Sequence, residues 1–360
     1  MKKAFPLFLL AFALPFLLLL EDAYSSYRII DTHEHMGPFE KAEVLNKVDA
    51  GLDIAKTILV ASPEETLTLN GKEAFTAYRK NVDTILKIAK TYPERFIPFC
   101  TISPLDQDAL AYLRNCVGRG GKGLKLYNGH SYFYPVFGMP LDAPAMLPIY
   151  GYAEKIRLPL LFHVNIMSYQ KELENVLQKY PKLTVSVPHF MVSSLNLPRV
   201  ERLFAKYPNL YTDISFGSPE FMAAGLRRIS RRPQDYVDFI KHYPDRILFG
   251  ADMVITTIEN KDADFMEAVL KCYRDMLEKE HYTCAPVNDW YKKEMEKYKK
   301  QYEGCKKKPS GPYCTQRKMK VDDATKWYVE TKSLNGLNLG SDILEKIYWE
   351  NPNRFLTGSP

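Results

Sequence analysis

Short, nearly continuous apolar runs recur along the chain, near 27–33, 56–62, 95–102, 122–127, 158–164, 182–189, 209–215 and 246–252. Between them the apolar positions switch to a helical spacing, as in Glu73 to Lys90, Asp108 to Cys116, Ala143 to Lys155, Tyr169 to Lys179, Pro198 to Lys206 and Pro233 to His242. A run without polar alternation reads as a strand covered on both faces, and the spaced pattern as a helix with one buried side. Eight such repeats in this length predict an α/β fold, specifically a (β/α)8 TIM barrel. An open doubly wound sheet fits the alternation as well. It would not bring the first, fifth, sixth and eighth strands around one point, whereas closure does.

That convergence matters because of what ends these runs. The first run leads into Asp31-Thr32-His33-Glu34-His35. Strand side chains alternate, so His33 and His35 share a face with Asp31 beneath them, which supplies half of a transition-metal site. Three further runs end in metal-capable residues: Phe162-His163, Pro188-His189 and Ala251-Asp252. Of the seven histidines in the chain, these four sit at strand ends, so incidental core histidines are a poor account of the set. In a barrel all of them fall on the C-terminal face, where such folds place their chemistry.

Asp-Thr-His-Glu-His, Gly123-Leu124-Lys125-Leu126-Tyr127, Phe162-His163, Pro188-His189 and Phe249-Gly250-Ala251-Asp252 follow in order, and the chain closes on Ile343 to Leu356 through Asn351-Pro352-Asn353-Arg354-Phe355. With these motifs the chain resembles the amidohydrolase superfamily, in particular its amidohydrolase-related branch, which includes aminocarboxymuconate-semialdehyde decarboxylase-like metal-dependent hydrolases. The resemblance covers 27–282 and 333–356. It implies one divalent metal ion, most often zinc, with manganese or iron as the other choices. His33, His35 and His163 would bind it and Asp252 would complete the set. Asp252 is also implied to handle the proton of an activated water, with His189 beside that water as an orienting or acid/base group. Lys125 matches a lysine that some relatives carbamylate between two metals. The expectation here is one metal and an unmodified Lys125 offered to a substrate carboxylate, with a strand-capping ion pair as its structural alternative. Val164-Asn165 and Phe190-Met191 depart from the small residues frequent at those places, which bears on the substrate more than on the metal.

Imidazoles with one carboxylate leave a bound metal net positive, able to lower the pKa of water and polarise a carbonyl. The expected function is therefore a metal-dependent hydrolase of the amidohydrolase type acting on a small organic substrate. A non-oxidative decarboxylase (a lyase) of the same branch is the alternative. A non-catalytic cell-surface binding protein on a retired barrel is a third reading, disfavoured by the complete ligand set. The loop Tyr127-Asn128-Gly129-His130-Ser131-Tyr132-Phe133-Tyr134-Pro135 is aromatic and carries a histidine, so Lys125, Tyr127, Asn128 and His130 are the expected substrate contacts. Asp213-Ile214-Ser215 ends the seventh strand and is placed to support the ligands, while Asn351 to Phe355 packs the last helix under the barrel.

Outside the repeats, Met1-Lys2-Lys3 precedes seventeen uncharged residues, Ala4 to Leu20, and Ala23-Tyr24-Ser25 offers a small-x-small cleavage site. Residues 1–25 read as a signal peptide or N-terminal anchor, and 26–360 as the barrel with an insertion at about 283–322. The expected location is exported, periplasmic or extracellular, either free or anchored through 4–20. Export makes disulfides the natural state of Cys272, Cys284, Cys305 and Cys314, most simply as Cys272–Cys284 and Cys305–Cys314 among three connectivities. Cys100 and Cys116 read as two buried free thiols. Residues 291–320 hold ten Lys, one Arg and three Glu, a net charge of +8 against +6 for the whole chain, so the remainder is near −2. The basic balance thus belongs to the insertion, read as a solvated helix or a weak attachment surface for an anionic envelope. No nucleic-acid partner is expected beyond the small-molecule substrate, and a homodimer remains open.

Overall fold

The computed structural model describes residues 27–68, 72–257, 261–306 and 312–358. The expected leader or anchor lies outside them, as do Pro309, Ser310 and Gly311 of the turn between Cys305 and Cys314. Strands β1 (Ile29–Met36), β2 (Ile54–Val60), β3 (Phe96–Thr101), β4 (Gly123–Gly129), β5 (Leu160–Val164), β6 (Val185–Ser186), β7 (Leu210–Asp213) and β8 (Ile247–Leu248) stand side by side in chain order. All pairs are parallel, which fits the apolar runs, since both faces of each strand are covered. A ninth strand, β9 (Val254–Ile255), pairs with β1.

β8 and β9 are the two ends of one interrupted course, and they close the barrel against β1. Phe249 O accepts from Thr32 N at 3.0 Å and from Thr32 Oγ1 at 2.7 Å. The Asp252 N–H donates to His33 O at 2.7 Å, and His35 N to Met253 O at 3.2 Å. The fold is the TIM barrel that the repeats predict.

Inside the barrel Ile58, Val60, Phe99, Leu161, Tyr211 and Leu248 form one buried cluster, sealed below by Phe355. Phe355 lies 6.2 Å from the ring of Phe99 and 5.8 Å from that of Tyr211. Asn351 secures this plug by donating to Pro244 O and Ile247 O at 2.8 and 2.9 Å. The polar ligand residues therefore have only one open end to face. A larger cluster fills the layer between strands and helices. The helix expected from Glu73 starts instead at Tyr78, because Thr76 is tied by its N–H and hydroxyl to the Glu65 carboxylate at 2.9 and 2.6 Å.

Beyond the barrel, β10 (His281–Tyr282) and β11 (Leu334–Asn335) pair antiparallel at the foot of two long helices, Ala285–Lys306 and Pro312–Glu330. Cys272–Cys284 and Cys305–Cys314 are bonded, with Cα–Cα distances of 5.1 and 5.7 Å. Cys100 and Cys116 are also bonded, at a Cα–Cα distance of 6.2 Å, which corrects the expectation of two free thiols. The helix Ala109–Gly118 turns back at Gly120-Gly121 and lays Cys116 over the end of β3. A Cβ at Gly121 would lie 2.3 Å from Cys100 Sγ, so that glycine leaves the space in which the two sulfurs meet.

Closing a loop of this size, with a sequence separation of 16, removes denatured-state entropy. By that argument, replacing Cys100 and Cys116 together by Ala should lower unfolding stability by about 3 kcal/mol. Denaturant unfolding of parent and double variant, both kept oxidised, measures this. Equal midpoints would show that the bond contributes nothing.

Candidate metal centre

β1 is buried along its whole length and delivers two imidazoles to the lumen. Each is held through Nδ1. His33 Nδ1 donates to Asp213 Oδ2 at 3.0 Å, and His35 Nδ1 to Ser62 Oγ at 2.7 Å. Ser62 donates its one proton to Val60 O at 3.2 Å, so its oxygen is an acceptor toward His35. With Nδ1 protonated in both rings, the lone pairs sit on Nε2.

Asp252 has a left-handed backbone, φ 52°, at the gap between β8 and β9. Its Oδ1 lies 2.9 Å from His35 Nε2 and 3.3 Å from His33 Nε2. Its Oδ2 lies 3.5 Å from His189 Nε2, whose other nitrogen donates to Ser215 O at 3.0 Å. The Nε2 atoms of His33, His35 and His189 thus converge on one carboxylate, with Lys125 Nζ 2.8 Å from His33 Nε2. The ligand atoms of His33, His35 and Asp252 lie within 4.8 Å of one another, as do those of His33, His189 and Asp213.

His189 reaches the site on an unusual backbone. His189, Phe190, Met191 and Val192 all have positive φ, between 50° and 62°, a left-handed turn directly after Pro188. Asp213 anchors it: its Oδ1 accepts from His189 N at 2.9 Å, Ser215 N at 3.1 Å and Ser215 Oγ at 2.6 Å. One carboxylate at the end of β7 therefore orients two of the histidines.

Electrostatics follow from burial. His33 is pushed down to about 4 by desolvation, and His35 is lowered by the same cause. Desolvation opposes ionisation of Asp252, yet His33, His35 and His189 together hold its carboxyl well below the usual range. Asp213 is held at about 2 against desolvation, chiefly by the His33 hydrogen bond. Asp31 is raised to about 7 by desolvation, and its Oδ1 accepts from His33 N at 3.0 Å. The pairing of β1 with β2 slips between Asp31 and Glu34, and Asp31 has Glu34 and Asp49 among its charged neighbours, which corrects the simple alternation that set it beneath the two histidines. Neutral imidazoles beside an ionised carboxylate are the donor set of a borderline-soft divalent cation, so these residues fit a metal.

The other expected residues are placed unequally. Lys125 is fully buried midway along β4, with Nζ 2.8 Å from His33 Nε2, and burial lowers its pKa to about 8. His163 stands apart from the tight cluster, its ring 5.0 Å from His189 and 4.3 Å from His130. Burial holds its pKa well below the ordinary imidazole value. His130 directly follows β4 and takes the Tyr132 N–H on Nδ1 at 3.0 Å, leaving Nε2 as its donor. Tyr127 serves Ser62 and Ala61 O rather than an open space. Asn128 is on the opposite side of the strand, next to Tyr150 in the helix layer. Two residues join the site that the sequence pattern does not single out: Ser62, and Gly217, where an added Cβ would meet Asp252 Oδ2 at 2.5 Å. The end of the second apolar run was the available signal for the first.

A family model described as Amidohydrolase matches residues 30–357. No curated protein matches the chain. Among solved structures, an uncharacterized TIM-barrel protein from Bordetella bronchiseptica is 15% identical, covering 92% of this chain and 98% of its own, with a TM-score of 0.53. A 2,6-dihydroxybenzoate decarboxylase from Rhizobium is 15% identical over 92% of this chain and 98% of its own, TM-score 0.48. A 4-oxalomesaconate hydratase from Rhodopseudomonas palustris is 13% identical over 92% and 96%, TM-score 0.47. The first of these shares the barrel, and the family match runs from the strand carrying His33 and His35 to the helix that seals the barrel floor. The chain belongs to the amidohydrolase family.

Proposed function

We propose that this amidohydrolase-family enzyme is a metal-dependent hydrolase that directs water onto a carbonyl carbon of a small organic substrate. The observation that carries the reading is the divided carboxylate of Asp252, one oxygen on the His33 and His35 nitrogens and the other toward His189. A divalent metal held by His33, His35 and Asp252, with His163 as a further imidazole, would supply Lewis acidity toward water and carbonyl. Asp213 and Ser62 keep the two Nε2 lone pairs aimed inwards. A water between Asp252 and His189 meets an ionised carboxylate to take its proton and an imidazole to orient it or pass the proton to the leaving group. His130, with Nε2–H free to donate, suits a substrate oxygen at the mouth.

A second reading, decarboxylation, draws support from Lys125. Its buried ammonium is a ready counter-ion for a substrate carboxylate. Assay of the zinc- or manganese-loaded protein against lactones, amides and aromatic acids separates the two. Acid release from lactones or amides supports hydrolysis, carbon dioxide release supports decarboxylation, and no turnover with full metal content sinks both.

If Asp252 moves the proton, Asp252→Asn should lower kcat by ~10²–10⁴-fold with little change in KM. Unchanged kcat removes it from the reaction. Gly217 has φ +74° and lies against Asp252 Oδ2, so Gly217→Ala combines backbone strain of about 1–2 kcal/mol with displacement of that carboxylate. A variant with reduced Tm but parental kcat would show that Asp252 has room to move.

The histidines also set a pH dependence. Unfolded chains protonate these imidazoles from about pH 6.5 downwards. Folded His33 resists until about 4. Across that window the unfolded state binds more protons, so the chelator-treated protein should lose stability as pH falls from 6.5 toward 4. Denaturant midpoints at several pH values should fall more steeply for the parent than for His33→Gln. Parallel slopes would exclude His33 as the source.

A further inference from the structure

The Lys-rich helices stand at a definable height on the barrel. The helix Pro219–Arg231 starts at the mouth, two residues after Gly217, which touches Asp252, and runs down to the floor. The helix Ala285–Lys306 packs antiparallel to it. Near the floor, Arg227 Nε donates to Tyr291 OH at 3.2 Å, and its guanidinium lies 3.4 Å from Glu330 and 4.6 Å from the Trp327 ring. At the mouth, Lys297 is within electrostatic reach of Glu220. Lys297 and Lys320 both approach the ring of Tyr298, each at 5.4 Å, which fixes the second helix at the same level. Residues 299–306 and 312–319 therefore project past the mouth, and at 1.5 Å per residue the first helix overshoots the Pro219 helix by roughly 12 Å.

The Cys305–Cys314 bond joins the two helices of this arm. Lys299, Lys300, Arg317 and Lys318 lie on the projecting part, the three lysines exposed, with Glu303 as its acidic residue among those described. Lys293, Lys297 and Lys300 repeat at helical spacing and continue the stripe toward the body. Tyr313 and Met319, 57% and 62% exposed, stand among these cations.

We infer that the arm docks the barrel, mouth first, on an anionic lipid surface. Clustered cations on a projecting arm suit a sheet of negative charge, and exposed aromatic and thioether groups among them suit the headgroup boundary. A soluble polyanion would use the charge and leave the apolar side chains without a role. Tyr27, where the described chain begins, packs on Tyr348, 5.4 Å apart, at the opposite face of the barrel.

Co-sedimentation of the full chain with phosphatidylglycerol/phosphatidylcholine vesicles and with pure phosphatidylcholine vesicles tests this. The expected result is at least ~10-fold tighter binding to the anionic vesicles, abolished near 0.5 M salt. Joint Lys299→Glu, Lys300→Glu, Arg317→Glu and Lys318→Glu substitution should erase the preference, and the corresponding Gln variant should reduce it part-way, with far-UV circular dichroism unchanged in both. No preference in the parent, or a preference that survives the Glu substitutions, overturns the inference. Capture by heparin or RNA without a preference for anionic vesicles overturns it in favour of a soluble polyanion.

Discussion

The hydrogen bond from the Asp252 N–H to the His33 carbonyl, 2.7 Å long, joins the last strand of the barrel to the first at the level of the chemistry. It sits where β8 has left the ladder and β9 has not begun, so the backbone at Asp252 is free to turn left-handed and swing its carboxylate inwards. Closure and the placing of the Asp252 carboxylate depend on the same few atoms. An open sheet would leave His33 and His35 facing solvent. Only in the ring do their Nε2 atoms find the carboxylate of a residue more than two hundred positions away.

The interior is unusually charged for a space closed at one end. Asp31, Glu34, Asp213, Asp252 and Lys125 are all buried around two imidazoles that stay neutral. Burying unpaired charge is costly, and the structure answers residue by residue. Asp213 is saturated by His33, His189 and Ser215. Asp31 and Glu34 are pushed toward protonation by desolvation. The negative charge that remains lies on Asp213, which is already paired, and on Asp252, whose carboxylate faces the imidazole nitrogens and is the better place for a cation.

Much of this was legible because it depends on local patterns. Apolar runs without alternation give buried parallel strands, and histidines at their ends can only gather on one face. What the sequence concealed depends on depth and register. Lys125 could be placed on the fourth strand, but not at mid-barrel against His33. Ser62 matters because the pairing of His35 with Val60 brings the next turn of β2 alongside the ring, a register that no local signal carries. Likewise β6 and β8 are only two residues long, shorter than their apolar runs, because the chain breaks away early to present His189 and Asp252. Cys100 and Cys116 looked like core thiols until the Gly120-Gly121 turn folded a helix end back over β3.

The left-handed turn at 189–192 ties the site to the hydrophobic layer behind it. Non-glycine residues in this conformation cost roughly 1–2 kcal/mol each, so the turn persists only while its surroundings prevent relaxation. Phe190 and Met191 are fully buried, and Phe190 lies against Phe216, Tyr236 and Phe239. The restraint on His189 is therefore exerted by aromatic rings packed behind the turn. A cavity opened at Phe239 would let the turn unwind and carry the imidazole away from Asp252, so packing in that outer layer reaches through the backbone into the candidate site.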